Sequence, residues 1–370
     1  MGRMNGHCSQ SPTATDPLPD YPRKTFIAEA ADGFRLVFEH VESRTDQGAS
    51  IVLCPGFGGN RFNFDLDEKH SLARYLASEG FDTWIVELRG AGRSKAAVSS
   101  AEARRSWNMD DHIEKDLPAL LDAVARVSAG PGVIWIGHSL GGMVVYGLLA
   151  RYPHHERFFT GLITIGSPGY VEPLRWKHAA SAATFFLRLM RGWPTIPVRS
   201  ILQILFSDLG RQVGLTRVRR RWLHPENMNQ SVLSDTARRG LEDFSVGTLR
   251  QWLTSMPRGG LLNSKGDYNY FHNLGQIKLP ILLIGGTKDG ITSVPTIMAV
   301  FDKVGSKDKT IRVFGEAGFE IGPDSVAKSR RDGTDYGHAD LLLGEATRSE
   351  VFPFIARWIR EHARTGEDHR

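Results

Sequence analysis

Cysteine is nearly absent, with two residues in 370. Two thiols cannot build a disulfide scaffold. Cys8 sits in a polar N-terminal stretch and Cys54 ends an apolar run, so both read as free thiols in a reducing, cytoplasmic setting. No uninterrupted apolar run reaches the ~18 residues that a membrane-spanning helix needs. The opening MGRMNGHCSQSPTATDPLPDYP lacks the apolar core of a secretory signal, so residues 1–22 read as a loose Pro/Ser/Thr tail. Metal and cofactor signatures are missing as well. There is no His-x-x-x-His and no Cys-x-x-Cys, His362 and His369 fall in a charged tail, and neither a P-loop nor a dinucleotide fingerprint occurs. No cofactor and no metal are therefore expected.

Charge of one sign is also scarce, with a net charge of only +5. Its distribution is uneven. Between Ser167 and Leu279 there are 16 Lys/Arg against 7 Asp/Glu, so the remainder is slightly acidic. One segment is basic, which suggests a separate module. With 41% hydrophobic and 24% charged residues the chain is neither disordered nor a membrane bundle. Its length exceeds the ~150 residues of a typical domain, so two domains, or one large α/β domain carrying an insertion, are expected.

What is present is a rhythm of strand and helix. Residues 25–30 and 34–41 alternate around Asp32-Gly33 and predict an antiparallel hairpin. Short β-branched or apolar runs follow at 51–54, 83–88, 133–136, 162–165, 281–284 and 310–314. Such runs suit strands buried on both faces of a parallel sheet. Helical spacing fills the gaps at 71–80, 111–127, after Gly142, and in VFPFIARWIR near the end. The expectation is a mostly parallel, doubly wound α/β sheet. The rhythm breaks over residues 168–279, between the sixth and seventh expected strands. This Arg-, Trp-, Leu- and Met-rich stretch reads as an inserted helical cap, with 23–167 and 280–370 as the core.

The most informative segment is GVIWIGHSLGGMVVYGLLA (132–150). A buried strand runs into Gly137-His138-Ser139-Leu140-Gly141 and then directly into a helix. This is Gly-x-Ser-x-Gly in strand–turn–helix context. A serine in so sharp a turn needs small residues two places before and after it, and Gly137 and Gly141 supply them. The helix that follows aims its N-terminal N–H groups at developing negative charge.

On these residues the chain resembles the α/β-hydrolase superfamily. Within it the chain is most similar to the branch containing the gastric and lysosomal acid lipases, from about residue 25 to 363 and weakly through the insertion. The resemblance implies an α/β-hydrolase fold with Ser139 as nucleophile and the chain order Ser, Asp, His. It implies that Asp289, in Gly285-Gly286-Thr287-Lys288-Asp289, is the acid, with Glu172 and Asp302 as poorer candidates. It implies that His338 is the base, because Tyr336-Gly337-His338-Ala339-Asp340 matches the branch's Tyr-x-His-x-Asp pattern. The oxyanion donors would be the amides of Leu140 and Phe57. In the second loop Pro55-Gly56 stands where related enzymes carry His-Gly, a departure that leaves the backbone donor in place. Asp116-Leu117-Pro118-Ala119 resembles a run in the same branch and reads as architecture, as does the turn Arg89-Gly90-Ala91-Gly92-Arg93-Ser94. The roughly 22-residue loop before His338 is either part of the mouth of the site or partly disordered.

The expected activity is carboxylic ester hydrolysis through an acyl-enzyme on Ser139, acting on a small-molecule or lipid-like ester. A partial resemblance to polyhydroxyalkanoate synthases keeps acyl transfer and thioester hydrolysis as alternatives, although those synthases use cysteine where Ser139 stands. A dehalogenase would need a carboxylate there. Other chemistries on the same triad, haloperoxidase or C–C hydrolase, stay open. A purely binding role is disfavoured by the complete Ser/Asp/His set. TFFLRLMRGWPTIPVRSILQILF (184–206), with Arg188, Arg191 and Arg199, reads first as a packed lid and second as a weak lipid-surface contact. The basic run RVRRRW (217–222) reads as a solvated helical face, and no nucleic-acid partner is expected.

Overall fold

The computed structural model describes residues 17–43, 49–96, 106–128, 130–170, 193–206, 219–255 and 258–363. Cys8, Glu172, Arg188, Arg191 and His369 lie outside them. The chain opens with the expected hairpin, β1 (Arg23–Glu29) and β2 (Arg35–Val41), paired antiparallel with Glu29 opposite Arg35. The Asp32-Gly33 turn closes it, with Gly33 at φ 82°, a conformation that glycine adopts without strain.

The apolar runs become β3 (Ser50–Cys54), β4 (Asp82–Val86), β5 (Val133–His138), β6 (Phe159–Ile165), β9 (Ile281–Gly286) and β10 (Lys309–Phe314). They are the parallel centre of a ten-stranded sheet that also holds Phe319–Ile321 (β11) and Ala327–Ser329 (β12), ordered β1-β2-β4-β3-β5-β6-β9-β10-β11-β12. β3, β5 and β9 are buried at every position. Their alternate residues feed two cores. Val52, Trp135 and Leu283 pack on one face with the helices Leu117–Val127 and Leu140–Arg151. Ile51, Ile136 and Ile284 pack on the other with the helices Leu72–Ser78 and Thr347–Ala363. This two-sided burial explains why these runs carry no polar alternation.

Three features differ from the sequence reading. The helix expected over 111–127 has a widened π-type turn at His112–Asp116 before it becomes regular at Leu117. Pro118 has no N–H to return to the preceding turn, so the register slips there. The long loop after β10 folds into β11 (Phe319–Ile321) and β12 (Ala327–Ser329), which extend the sheet edge antiparallel. It is neither loose nor part of the cavity wall described below. Finally, residues 17–22 bury Leu18 and Tyr21 against the core, so this described end of the N-terminal segment is packed.

Between β6 and β9 the chain forms a two-stranded pair, β7 (Thr195–Ile196) and β8 (Phe244–Ser245), with the helices Val198–Phe206, Gln230–Asp235 and Val246–Ser255. Residues 261–277 return to the core beside the helix Leu140–Arg151, where the Tyr268 hydroxyl donates to the Ala150 carbonyl at 2.7 Å. The basic run is only partly solvated. Arg219 is buried and donates to Gln230, Arg220 and Arg221 are exposed, and Trp222 is half-buried.

Arg89 and Asp116 show what holds the β4 end of the sheet. Both are buried, with guanidinium and carboxylate 2.7 Å apart, and Arg89 also reaches Asp32 at 2.9 Å. Against the upward push of burial, the hydrogen bond from the His112 ring and then the Arg89 cation hold the Asp116 carboxyl below its ordinary range. Removing one partner of a buried pair leaves an uncompensated charge. Arg89→Met is therefore expected to lower unfolding stability by about 3–5 kcal/mol in urea titrations. A loss under 1 kcal/mol would show that the pair is not structurally important.

Candidate active site

Ser139 sits between β5 and the helix Leu140–Arg151 at φ 51°, ψ −115°. A non-glycine residue there is strained, and such strain persists only where surroundings enforce it. The enforcing contacts are local. The Ser139 amide donates to the Ile165 carbonyl of β6 at 2.8 Å. A Cβ on Gly137 would lie 2.4 Å from the Gly141 carbonyl group, and one on Gly141 would lie 2.2 Å from the Cys54 carbonyl oxygen. Both glycines are therefore required by backbone approach, as the motif predicted. Leu140 is the first residue of the helix.

The loop after β3 runs against this turn. A Cβ on Gly56 would stand 3.0 Å from the Ser139 Cβ. Phe57 follows, its ring packed on Phe244 with centroids 4.3 Å apart. Among the described residues neither the Phe57 nor the Leu140 amide donates to a protein acceptor. Two unspent donors on the wall of one cavity are what an oxyanion requires.

Asp289 and His338 meet as the sequence reading expected. Asp289 Oδ2 accepts from His338 Nδ1 at 2.8 Å, and both side chains are almost fully buried. Asp289 Oδ1 accepts the amides of Ile291 and Thr292 at 2.8 and 2.7 Å. The Asp-Gly turn and the acid are thus one device, because the turn amides hold one oxygen and free the other for the histidine. With Nδ1 donating, Nε2 of His338 is left to accept a proton. Asp302 is exposed on the helix Val294–Lys303 and takes no part.

Ser139, Leu140, Phe57 and His338 share a cavity of about 350 Å³. Met109, Met143, Leu233, Leu241, Trp252 and Leu342 form much of its wall, and among the described residues no Asp, Glu, Lys or Arg lines it. Cap and core both contribute, so the insertion helps to build the cavity.

A profile of the alpha/beta hydrolase fold matches residues 49–324. The chain belongs to the α/β-hydrolase fold family. This α/β-hydrolase is 28% identical over 261 residues to a pimeloyl-[acyl-carrier protein] methyl ester esterase of Shewanella woodyi, covering 70% of this chain and 83% of that protein. It is 23% identical to triacylglycerol lipase 1 of Arabidopsis thaliana, covering 90% and 86% of the two chains. Human lipase member K is 19% identical, over 92% of this chain and 88% of its own length. The solved structure of an esterase from Exiguobacterium antarcticum superposes with a TM-score of 0.58 at 16% identity, covering 90% of this chain and 98% of that one, a likeness of fold.

The α/β-hydrolase also carries groups at the site that the sequence reading passed over. His138, beside the serine, is buried, and its Nε2 donates to the His338 carbonyl at 3.2 Å. Among the described residues its Nδ1 has no hydrogen-bond partner. Burial, then the neighbouring His338, push its pKa down to about 3. Asp340 accepts from the Gly337 amide at 2.9 Å and from His224 N and Asn227 Nδ2 at 3.1 and 3.2 Å, tying the histidine loop to the cap. Burial raises the Asp340 carboxyl to about 6. The available signals were His138, a titratable residue inside the motif, and Asp340, which closes the Tyr-x-His-x-Asp pattern.

Because the folded state keeps His138 neutral to about pH 3 and the unfolded chain protonates near 6.5, its burial favours folding above 6.5. That contribution is lost as pH falls through this window. Wild type is expected to lose stability relative to His138→Asn by about 1.4 kcal/mol per pH unit below ~6. Urea titrations at pH 7, 6, 5 and 4 measure this difference, and parallel curves would refute it.

Proposed function

We propose that this α/β-hydrolase cleaves neutral, lipophilic carboxylic esters through an acyl-enzyme on Ser139. The observation that carries the reading is that a strained serine at a helix start and a carboxylate-bound histidine open on the same cavity, whose described lining residues include no Asp, Glu, Lys or Arg. Ser139 Oγ attacks the ester carbonyl while His338 Nε2 takes its proton. Asp289 holds the imidazole by Nδ1 and stabilises the imidazolium. The negative oxygen of the tetrahedral intermediate is received by the Phe57 and Leu140 amides. His338 then gives its proton to the departing alkoxide, and the alcohol leaves. Water, deprotonated by the same histidine, hydrolyses the acyl-serine. Esterases and lipases among the relatives support ester hydrolysis in general.

The substrate class follows from the wall. A charged acyl or alcohol group would be desolvated here with no counter-charge among the described lining residues, whereas apolar carbons gain about 0.8 kcal/mol per buried CH₂.

Two experiments test the reading. Ser139→Ala is expected to abolish hydrolysis and fluorophosphonate labelling with an unchanged circular dichroism spectrum, and Asp289→Asn to cut kcat by about 10⁴. Substantial turnover by Ser139→Ala would end the assignment. Across p-nitrophenyl esters from acetate upward, kcat/KM is expected to rise about fourfold per methylene until the cavity is filled. A profile that is flat or falls from acetate would remove the lipophilic class while leaving the serine chemistry intact.

A further inference from the structure

The loop that carries Phe57 is held both by its own backbone turn and from outside itself. Pro55 offers no amide hydrogen, and Gly56, Gly58 and Gly59 offer no side chains. Its own stretch supplies two contacts, the Gly59 amide to the Gly56 carbonyl at 3.0 Å and a long one from the Gly56 amide to Asn63 Oδ1 at 3.4 Å. The firmer grip comes from the cap residues 239–244. Glu242 N donates to the Gly58 carbonyl at 2.8 Å, and Gly59 bridges antiparallel to Leu241. Gly58, at φ +65°, has the Phe244 ring where a Cβ would stand, 2.2 Å away.

One buried carboxylate links these contacts. Glu242 Oε1 accepts from Asn60 Nδ2 at 2.9 Å and from the Gly92 amide at 3.2 Å. Asn60 Nδ2 also donates to the Arg239 carbonyl at 2.8 Å, and its own Oδ1 accepts from Phe62 N, closing the turn after the loop. Lys95 Nζ lies 3.8 Å from Glu242 Oε2. Asn60 and Glu242 are both more than nine-tenths buried. Gly92 belongs to the Arg-Gly-x-Gly-x-Ser turn, which the proposed chemistry does not otherwise use.

We propose that Glu242 is a positioning residue for the oxyanion hole, fixing the Phe57 amide by clamping Asn60 and Gly92 to the cap. The inference rests on the serine-hydrolase reading of Ser139. It assigns to a cap side chain a share of the rigidity that the turn from Gly56 to Gly59 does not supply alone. A donor stabilises an oxyanion only if it is held in place before the charge forms, since reorientation during the step would consume the gain. The effect therefore belongs to kcat.

The test compares a p-nitrophenyl ester with the matching thionoester in wild type, Glu242→Ala and Glu242→Gln. Sulfur accepts hydrogen bonds poorly, so thionoester turnover depends less on the hole. Glu242→Ala is expected to lower ester kcat by about 10- to 100-fold, less than the full loss of one donor. KM should stay within about twofold and the thionoester rate should fall far less, because uniform binding is untouched. Glu242→Gln keeps an oxygen facing Asn60 and Gly92 and is expected to restore most of the ester rate. Wild-type kcat in Glu242→Ala, or equal losses on ester and thionoester, would overturn the proposal. If Glu242→Ala does not fold, Glu242→Asp, which withdraws the carboxylate by one methylene, must show the same selective loss of ester turnover. Survival of activity in Ser139→Ala would defeat the underlying serine reading and is seen independently of every Glu242 variant.

Discussion

The rest of the site depends on the backbone of Ser139. Holding a side-chain-bearing residue at φ 51° is unfavourable in isolation, and neighbouring strands enforce it here. The amide is tied to β6, the flanking glycines let β3 and the following helix approach within van der Waals distance, and both strands are buried on two faces. The parallel sheet is thus the clamp for this turn. A looser sheet would let the serine relax toward an ordinary turn and withdraw Oγ from the cavity.

The cap extends the same logic to the loops that the sheet does not fix. Two buried carboxylates, Glu242 and Asp340, each join a cap segment to a loop of the core. Around Asp340, the Ala339 amide donates to the Trp222 carbonyl at 2.8 Å and the Glu345 amide to the Asn227 carbonyl at 2.9 Å. A Cβ on Gly337 would stand 2.7 Å from the Leu223–His224 backbone, so the close approach is built into the residue types. Both carboxylates serve as acceptors for otherwise unsatisfied donors, the condition under which a buried charge is tolerated. These anchors show why the cavity has walls from both parts of the chain.

How much of this was legible in the sequence follows from the range of each interaction. The central strands were legible because two-sided burial writes itself as continuous apolar runs. The elbow was legible because its constraints fall within five residues. Asp289 and His338 were legible through flanking patterns and chain order, although nothing in either segment alone says that they touch. The clamps were not. Asn60 and Glu242 are 182 positions apart, and each is an ordinary polar residue locally. β11 and β12 were hidden for another reason. They are three residues each, with no fully buried position, and Arg312 of β10, paired with Asp332, helps hold the chain beyond them rather than an apolar pattern.

Charge placement connects the fold to the proposed chemistry. Although residues 167–279 carry a basic excess, no Lys or Arg among the described residues lines the cavity. In the apolar interior so left, the Asp289–His338 bond operates at lower effective dielectric than it would in water. Such a setting magnifies misalignment as much as attraction. A carboxylate free to rotate would offer His338 a choice of oxygens and lose orientation. The Ile291 and Thr292 amides remove that choice by occupying Oδ1. The imidazole then meets a carboxylate whose direction is set by the turn itself, before any substrate enters, and the cost of that order is met by folding rather than by binding.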